Sequence, residues 1–294
     1  MRIQRELLSG GRLTGLALIA CVTLAARPHL VVPVRSPGLM YTLTSVQEHT
    51  TPAGAVRADT SVAAIRWSGD NGRTDVRRMS TSLAQRGDSL ARAFGGAPGQ
   101  YVLIKRGRAA VIVGDTVRRE YFERNIDSAM KSMMGNGPRP QVHAIDSGSV
   151  VRIQPDSVID GRVVQHWHSA RPFTLAMLSM QTAMHITEDI YVDVGAQDLR
   201  FDYSGDDGDA LPGLGEVRRY FREAFAKAPH GLHVLVVMRT DIDLGSVHIT
   251  STATTRMSDI QYTDIPREAF EVPDGYQRVP TPEIPLIPGA KRPK

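Results

Sequence analysis

Cysteine is nearly absent: Cys21 is the single one in 294 residues, and it lies inside an N-terminal apolar stretch. The rest of the chain therefore has no disulfide framework and no thiol chemistry. Also missing are a GxSxG elbow, a P-loop, a dinucleotide fingerprint and an HExxH pair, so no catalytic residue, metal ligand or cofactor is assigned. A basic body is lacking too. The formal net charge is +4, but residues 1–26, 27–38 and 273–294 each carry an excess of +2, which leaves −2 for 39–272. Nucleic-acid binding needs a clustered basic face, and the body has no excess from which to build one.

What is present begins with an export pattern. Arg2, Arg5 and Arg12 precede the apolar run Leu13–Ala26, which ends in small residues before Arg27-Pro28. This is a charged region, an apolar region and a small-residue cleavage zone, shorter than the roughly 20 apolar residues that span a bilayer. Residues 1–26 are thus expected to be a signal peptide cleaved near Ala25 or Ala26. Leu18-Ile-Ala-Cys21 resembles a lipobox, and a lipidated Cys21 or an uncleaved anchor would instead tie the chain to a membrane. Residues 27–38, with Pro28, Pro33 and Pro37, read as a linker. Residues 39–279 form the folded domain, and 280–294 are a proline-rich tail.

Within the domain, runs rich in Val, Thr, Ile and Tyr alternate with Gly, Pro, Asn and Asp, the mark of antiparallel strands. Strands are expected at Leu39–Thr50, Ser61–Ser68, Arg73–Arg78, Tyr101–Lys105, Ala109–Val113, Gln141–Asp146, Ser149–Gln154, Gly161–His168, Phe173–Met180, Met184–Val194, Leu232–Arg239 and Val247–Met257. Asn71-Gly72 suits the positive φ angles of a tight hairpin. Two helices are expected. One covers 119–134, with Phe122, Ile126, Ala129, Met130 and Met133 at helical spacing. The other covers 214–228, where Leu214, Val217, Phe221, Ala224, Phe225 and Ala228 form a stripe opposite Arg218, Arg219, Arg222 and Lys227. The fold class is α+β: a curved, mostly antiparallel sheet with helices packed on its concave side.

Several features, in order, resemble a bacterial family of exported domains of unknown function within the LolA/LolB-like class of lipoprotein-carrier folds. They are Met40-Tyr-Thr-Leu-Thr with Ala64-Ile-Arg-Trp, Tyr101-Val-Leu-Ile-Lys, Ile159-Asp-Gly-Arg-Val-Val-Gln-His-Trp, Thr187-Glu-Asp-Ile-Tyr-Val-Asp, and the closing Ile265-Pro-Arg-Glu-Ala-Phe-Glu-Val-Pro-Asp-Gly-Tyr276. The resemblance spans about 40–277. It implies an unclosed antiparallel barrel with an apolar cavity for acyl chains, and it carries no catalytic set.

Three constellations bear on chemistry. His166 and His168 share one face of a strand and can bind a metal if His143, His185, His233 or His248 supplies a third ligand; the alternative is ordinary exposed strand histidines. Asp202, Asp206, Asp207 and Asp209 crowd a loop without EF-hand order, and Asp193 with Asp198, or Asp241 with Asp243, are paired carboxylates near strand ends. Met130, Met133, Met134, Met177, Met180 and Met184 supply pliable apolar surface, which suits variable apolar ligands as well as plain core packing. The leading expectation is a non-enzymatic envelope protein, periplasmic or outer-envelope, that binds a lipid or a lipoprotein acyl chain through Met177, Met180, Phe221 and Phe225. The alternatives are a metal-dependent hydrolase built on His166 and His168, and a structural or protein-docking domain.

Overall fold

The structure, a computed structural model, describes residues 38–50, 56–69, 71–80, 95–105, 110–125, 128, 141–144, 148–177, 180–196, 231–243 and 248–283. Six strands make a first antiparallel meander: β1 (Gly38–Thr50), β2 (Val56–Ser68), β3 (Asn71–Met79), β4 (Gln100–Lys105), β5 (Ala110–Asp115) and β6 (Glu120–Asn125). A second meander holds β7 (Gln141–Ala144), β8 (Ser149–Ile159), β9 (Arg162–Met177), β10 (Met180–Asp193), β11 (Leu232–Asp243) and β12 (His248–Thr263). Pairing of β1 with β12 joins the two into one 13-stranded sheet. The thirteenth strand, β13 (Gln277–Arg278), lies parallel to β6 at one edge. At the other edge β7 and β8 share the outer side of β9, with Ala144 opposite Phe173 and Ser149 opposite Ala170.

The expected α+β class is therefore corrected. Among the described residues the elements are strands and one 3-10 turn, Arg267–Phe270; Ser128 alone is helical, its amide donating to Asn125 Oδ1 at 2.8 Å, and no helix is described as packed on the sheet. Over 119–134, residues 120–125 are β6. The physical reason is alternation: Phe122 and Arg124 are buried while Glu123 and Asn125 are exposed, a period of two that the spacing from Phe122 to Ile126 masked. The expected helix at 214–228 lies outside the described residues.

Two strand boundaries also differ. Residues 162–177 form one strand through Arg171-Pro172, and Met177 faces Met180 across its hairpin with β10. Proline is tolerated there because residue 172 falls between the last β8 rung and the first β7 rung, where the ladder demands no amide. Ser68 faces Asn71 across the β2–β3 hairpin, and it is Gly69 that takes a positive φ, +54°. Gly72 serves a different need. It lies opposite Trp67, and a Cβ there would overlap the indole ring. The same device recurs at Tyr101 and Gly114, where the phenol ring lies over the opposing glycine.

Direct pairings define an inner face. Leu39 faces Trp67, Tyr41 faces Ile65, Leu43 faces Met257 and Met184 faces Phe173. Leu39, Tyr41, Ile65, Trp67, Val164, Leu232, Val234 and Met257 form one buried cluster, and Phe173, Ile186, Met238 and Ala253 a second. The sheet curls. β9 and β12 are three strands apart in the sheet order, roughly 14 Å at about 4.8 Å per strand, yet Arg162 Nη2 donates to Ile260 O at 3.4 Å and Arg256 pairs with Asp160.

After β12 the chain becomes a strap. Ile265 sits beside Gly38, Ala269 O accepts a bond from Arg73 Nη1 at 3.1 Å, Phe270 is buried, and the Tyr276 ring tilts against Tyr101 at 6.0 Å. This stretch corresponds to the closing motif 265–276 and holds the outer side of the first meander.

Candidate functional site

The inner face carries both apolar clusters, and a buried ion pair lies on it. On β9, Trp167, Ser169, Arg171 and Phe173 alternate inward; on β10, Ile186, Glu188 and Ile190 meet them. Arg171 Nη2 donates to Glu188 Oε2 at 2.7 Å and to Ser169 Oγ at 3.0 Å, and Ser169 Oγ donates to Glu188 Oε2 at 3.1 Å. The Arg171 and Glu188 side chains are 1% and 3% exposed. A buried ion pair between two apolar clusters adds little net stability over apolar packing but fixes register, since neither charge tolerates losing the other. Sequence reasoning missed this group. The signal was there: one acid in the alternation Met184, Ile186, Glu188, Ile190, Val192, facing an arginine in a similar alternation.

At the far end of the same face Gln47, His49 and Asp59 are buried. Gln47 Nε2 lies 3.5 Å from Ser251 Oγ, and Asp59 Oδ1 accepts from Ser80 Oγ at 3.0 Å. The inner face thus passes from an apolar floor around Leu39 and Met257 to a polar rim toward the β1–β2 tip.

The paired histidines are on the face of β9 opposite Ser169 and Arg171. His166 Nε2 and His168 Nδ1 both meet Asp189 Oδ1, at 2.8 and 3.1 Å, and the His166 ring stacks on Tyr191 at 4.4 Å. Burial would raise the Asp189 carboxyl, but the hydrogen bonds from the two imidazoles outweigh it and hold it below the ordinary value. Among the described residues, no group of three or more His, Cys, Asp or Glu side chains is placed to hold a metal ion. His185 is exposed on β10 and His233 is on β11; His143 is in β7, its side chain outside the described residues. His248 Nε2 stands 3.5 Å from Asp241 Oδ1.

Asp241 is held by neighbours on β11 and β12. Its carboxylate takes Arg239 at 2.9 and 3.1 Å and Thr250 Oγ1 at 2.6 Å, and the Arg239 bonds hold it below the usual carboxylate range. Asp193 binds Arg162 at 2.9 Å and the Gly195 amide at 3.1 Å. Asp198 and the 202–209 acidic loop lie outside the described residues.

Of the residues assigned to ligand contact, Met177 and Met180 face each other at the tip of the β9–β10 hairpin, their side chains outside the described residues. Phe221 and Phe225 lie outside them altogether, as do Met130, Met133 and Met134. A cleft of about 200 Å³ opens at the floor end, lined by Ile159, Arg162, Val234, Met257, Asp259 and Ile260 among others. It is smaller than the about 300–1,000 Å³ of ordinary ligand pockets.

No family model matches the chain, and no curated protein matches it. Among solved structures it is similar to a LolA superfamily protein from Nitrosomonas europaea, at 9% identity over 79% of this chain and 90% of that one, TM-score 0.28. It is also similar to PNGF-II (9% identity, 82% of this chain, 31% of that one, TM-score 0.29) and to lipovitellin (6%, 80%, 26%, TM-score 0.28). At such scores these likenesses carry no argument about fold or ligand.

Proposed function

We propose that this chain is an exported envelope protein that binds a hydrophobic ligand, a lipid or acyl chain, over the inner face of its curved sheet. The observation that supports this reading is the continuity of that face. Apolar side chains from β1, β2, β9, β10, β11 and β12 meet there, around the buried Arg171–Glu188 pair. An apolar chain laid on such a surface gains about 0.8 kcal/mol per buried methylene. Six methylenes give roughly 5 kcal/mol before ordering costs, enough for measurable binding. Met177, Met180, Phe221 and Phe225 are proposed as ligand contacts, with 1–26 as the export signal. Membrane attachment through Cys21 or an uncleaved anchor belongs to the same proposal.

The test is binding of a fluorescent fatty acid to the purified chain. Met177→Asp with Met180→Asp should abolish binding while the far-UV spectrum is kept, and His166→Ala with His168→Ala should leave it unchanged. Loss of binding only in the histidine variant, together with loss of a bound metal, would favour the hydrolase reading instead.

A further inference from the structure

Among the described residues the sheet has two outer edges, and a strap of the chain occupies the one at β6. At β6 the strap docks as an added strand. Gln277 N donates to Arg119 O at 2.9 Å, Val279 N to Tyr121 O at 2.8 Å, and Thr281 Oγ1 to Glu123 O at 2.8 Å. These are alternate residues on both segments, the spacing of a parallel ladder. The Val279 side chain packs on the buried trio Val111, Val113 and Phe122. Arg124, buried with its guanidinium 5.4 Å from the Phe122 ring centre, donates to Pro282 O at 2.6 Å. The intervening positions 280 and 282 are prolines, so the outward side of the strap lacks donors there for a further strand. Main-chain bonds at alternate residues, one apolar side chain in a pocket and a closed far side describe how an extended peptide adds to a sheet edge.

We infer that the β6 edge is a peptide-accepting edge, held closed in cis by 277–282, and that its alternative occupant is the same segment of a second copy of this chain. The second copy is favoured because every contact above is reproduced without change when the strap is exchanged, whereas another peptide must match both Val279 and the proline spacing. Covalent attachment keeps the cis strap dominant, at an effective concentration on the order of mM, so exchange requires the resident strap to be weakened or the protein to be concentrated.

The experiment uses the full chain carrying Val279→Asp and a fluorescent peptide of residues 276–283 with its native valine. The variant should bind the peptide at least tenfold more tightly than the wild-type chain does, and a peptide with aspartate in place of that valine should not bind. Light scattering on the wild-type chain should show a dimer fraction that rises with concentration and is suppressed by the native peptide. A folded variant that binds neither peptide, or both equally, overturns the peptide-accepting edge. A wild-type chain that stays monomeric at every concentration overturns the second copy as occupant. If Val279→Asp fails to fold, Thr281→Val removes one bond to the same edge and is read in the same way.

Discussion

The two halves of the sheet, an unbroken meander in β1–β6 and one ending with β7 and β8 side by side along β9 in β7–β12, differ in what secures them. In β1–β6, glycine is placed under an aromatic ring twice, Trp67 over Gly72 and Tyr101 over Gly114, and the free edge is closed by the strap. In β7–β12 no strand covers the outer side of β8 among the described residues, and polar pairs do the fastening: Arg171 with Glu188 inside, His166 and His168 with Asp189 outside. The β8 edge relies on interruption. Its ladder slips between Ile153 and Ser157, where Pro155 sits and Arg152 bonds Asp156 at 2.7 Å, while Val151 and Val158 remain exposed. A bulge, a proline and charges are the usual guards of an uncovered edge. The difference teaches that the first half depends on shape, which fails gradually, and the second on a buried charge pair, which fails abruptly when broken.

The largest effect expected from this contrast is at Glu188. Glu188→Ala leaves the Arg171 guanidinium buried without its carboxylate and should destabilise by about 3–5 kcal/mol. Replacing both residues by methionine should recover most of that loss, because the apolar clusters on either side can accept the volume. Urea denaturation of the two variants checks it. A single variant as mild as the double one would mean that the inner face is wet.

A smaller effect, in the first meander, follows from Gly114. An alanine methyl there overlaps the Tyr101 ring, which is wholly buried between β5, Arg73 and Tyr276. The ring cannot swing clear without loosening the strap, so Gly114→Ala should cost about 1–3 kcal/mol, as overpacking does. Burial pushes the Tyr101 phenol up to about 12, so alkaline difference spectra should show it ionising at ordinary pH values for tyrosine only when this packing is loosened.

The strands of 39–115 were largely legible, because β4 and β5 are short Val- and Ile-rich runs on either side of Arg106-Gly-Arg108 in the sequence. Legibility failed where two periods coincide. Phe122 fits a helical face with Ile126 and Met130, and only its pairing with Val113 across a four-residue turn decides for strand. It failed again at Ser169-Ala-Arg-Pro172, which reads as a break because its proline sits where β7 gives way to β8, a fact of register rather than of composition. The candidate site was less legible still. His166 and His168 were rightly placed on one face, but a sequence does not say which carboxylate they will meet. Arg171 and Glu188 were overlooked because charge within an apolar strand was not read as an inward position.

The smallest expected effect concerns Asp189 and sharpens the contrast between the inner and outer pairs of the second meander. Its folded carboxyl lies below the ordinary value, about 3.9 in an unfolded chain. The sign is that of a depressed acid: its contribution is complete above the unfolded value and is lost as pH falls through the folded one. Because the side chain is 39% exposed, that contribution should stay under about 1 kcal/mol. Asp189→Asn keeps an oxygen to receive the imidazole N–H groups and removes the charge. Wild type should therefore exceed the variant by this small margin from pH 5 upward, and the margin should shrink only as pH falls from about 3.9 through the lower folded value. A margin that widened on acidification would mean that the carboxylate is strained rather than stabilised by its two histidines. The outer cluster would then be the weak point of the second meander, in place of the buried pair beneath it.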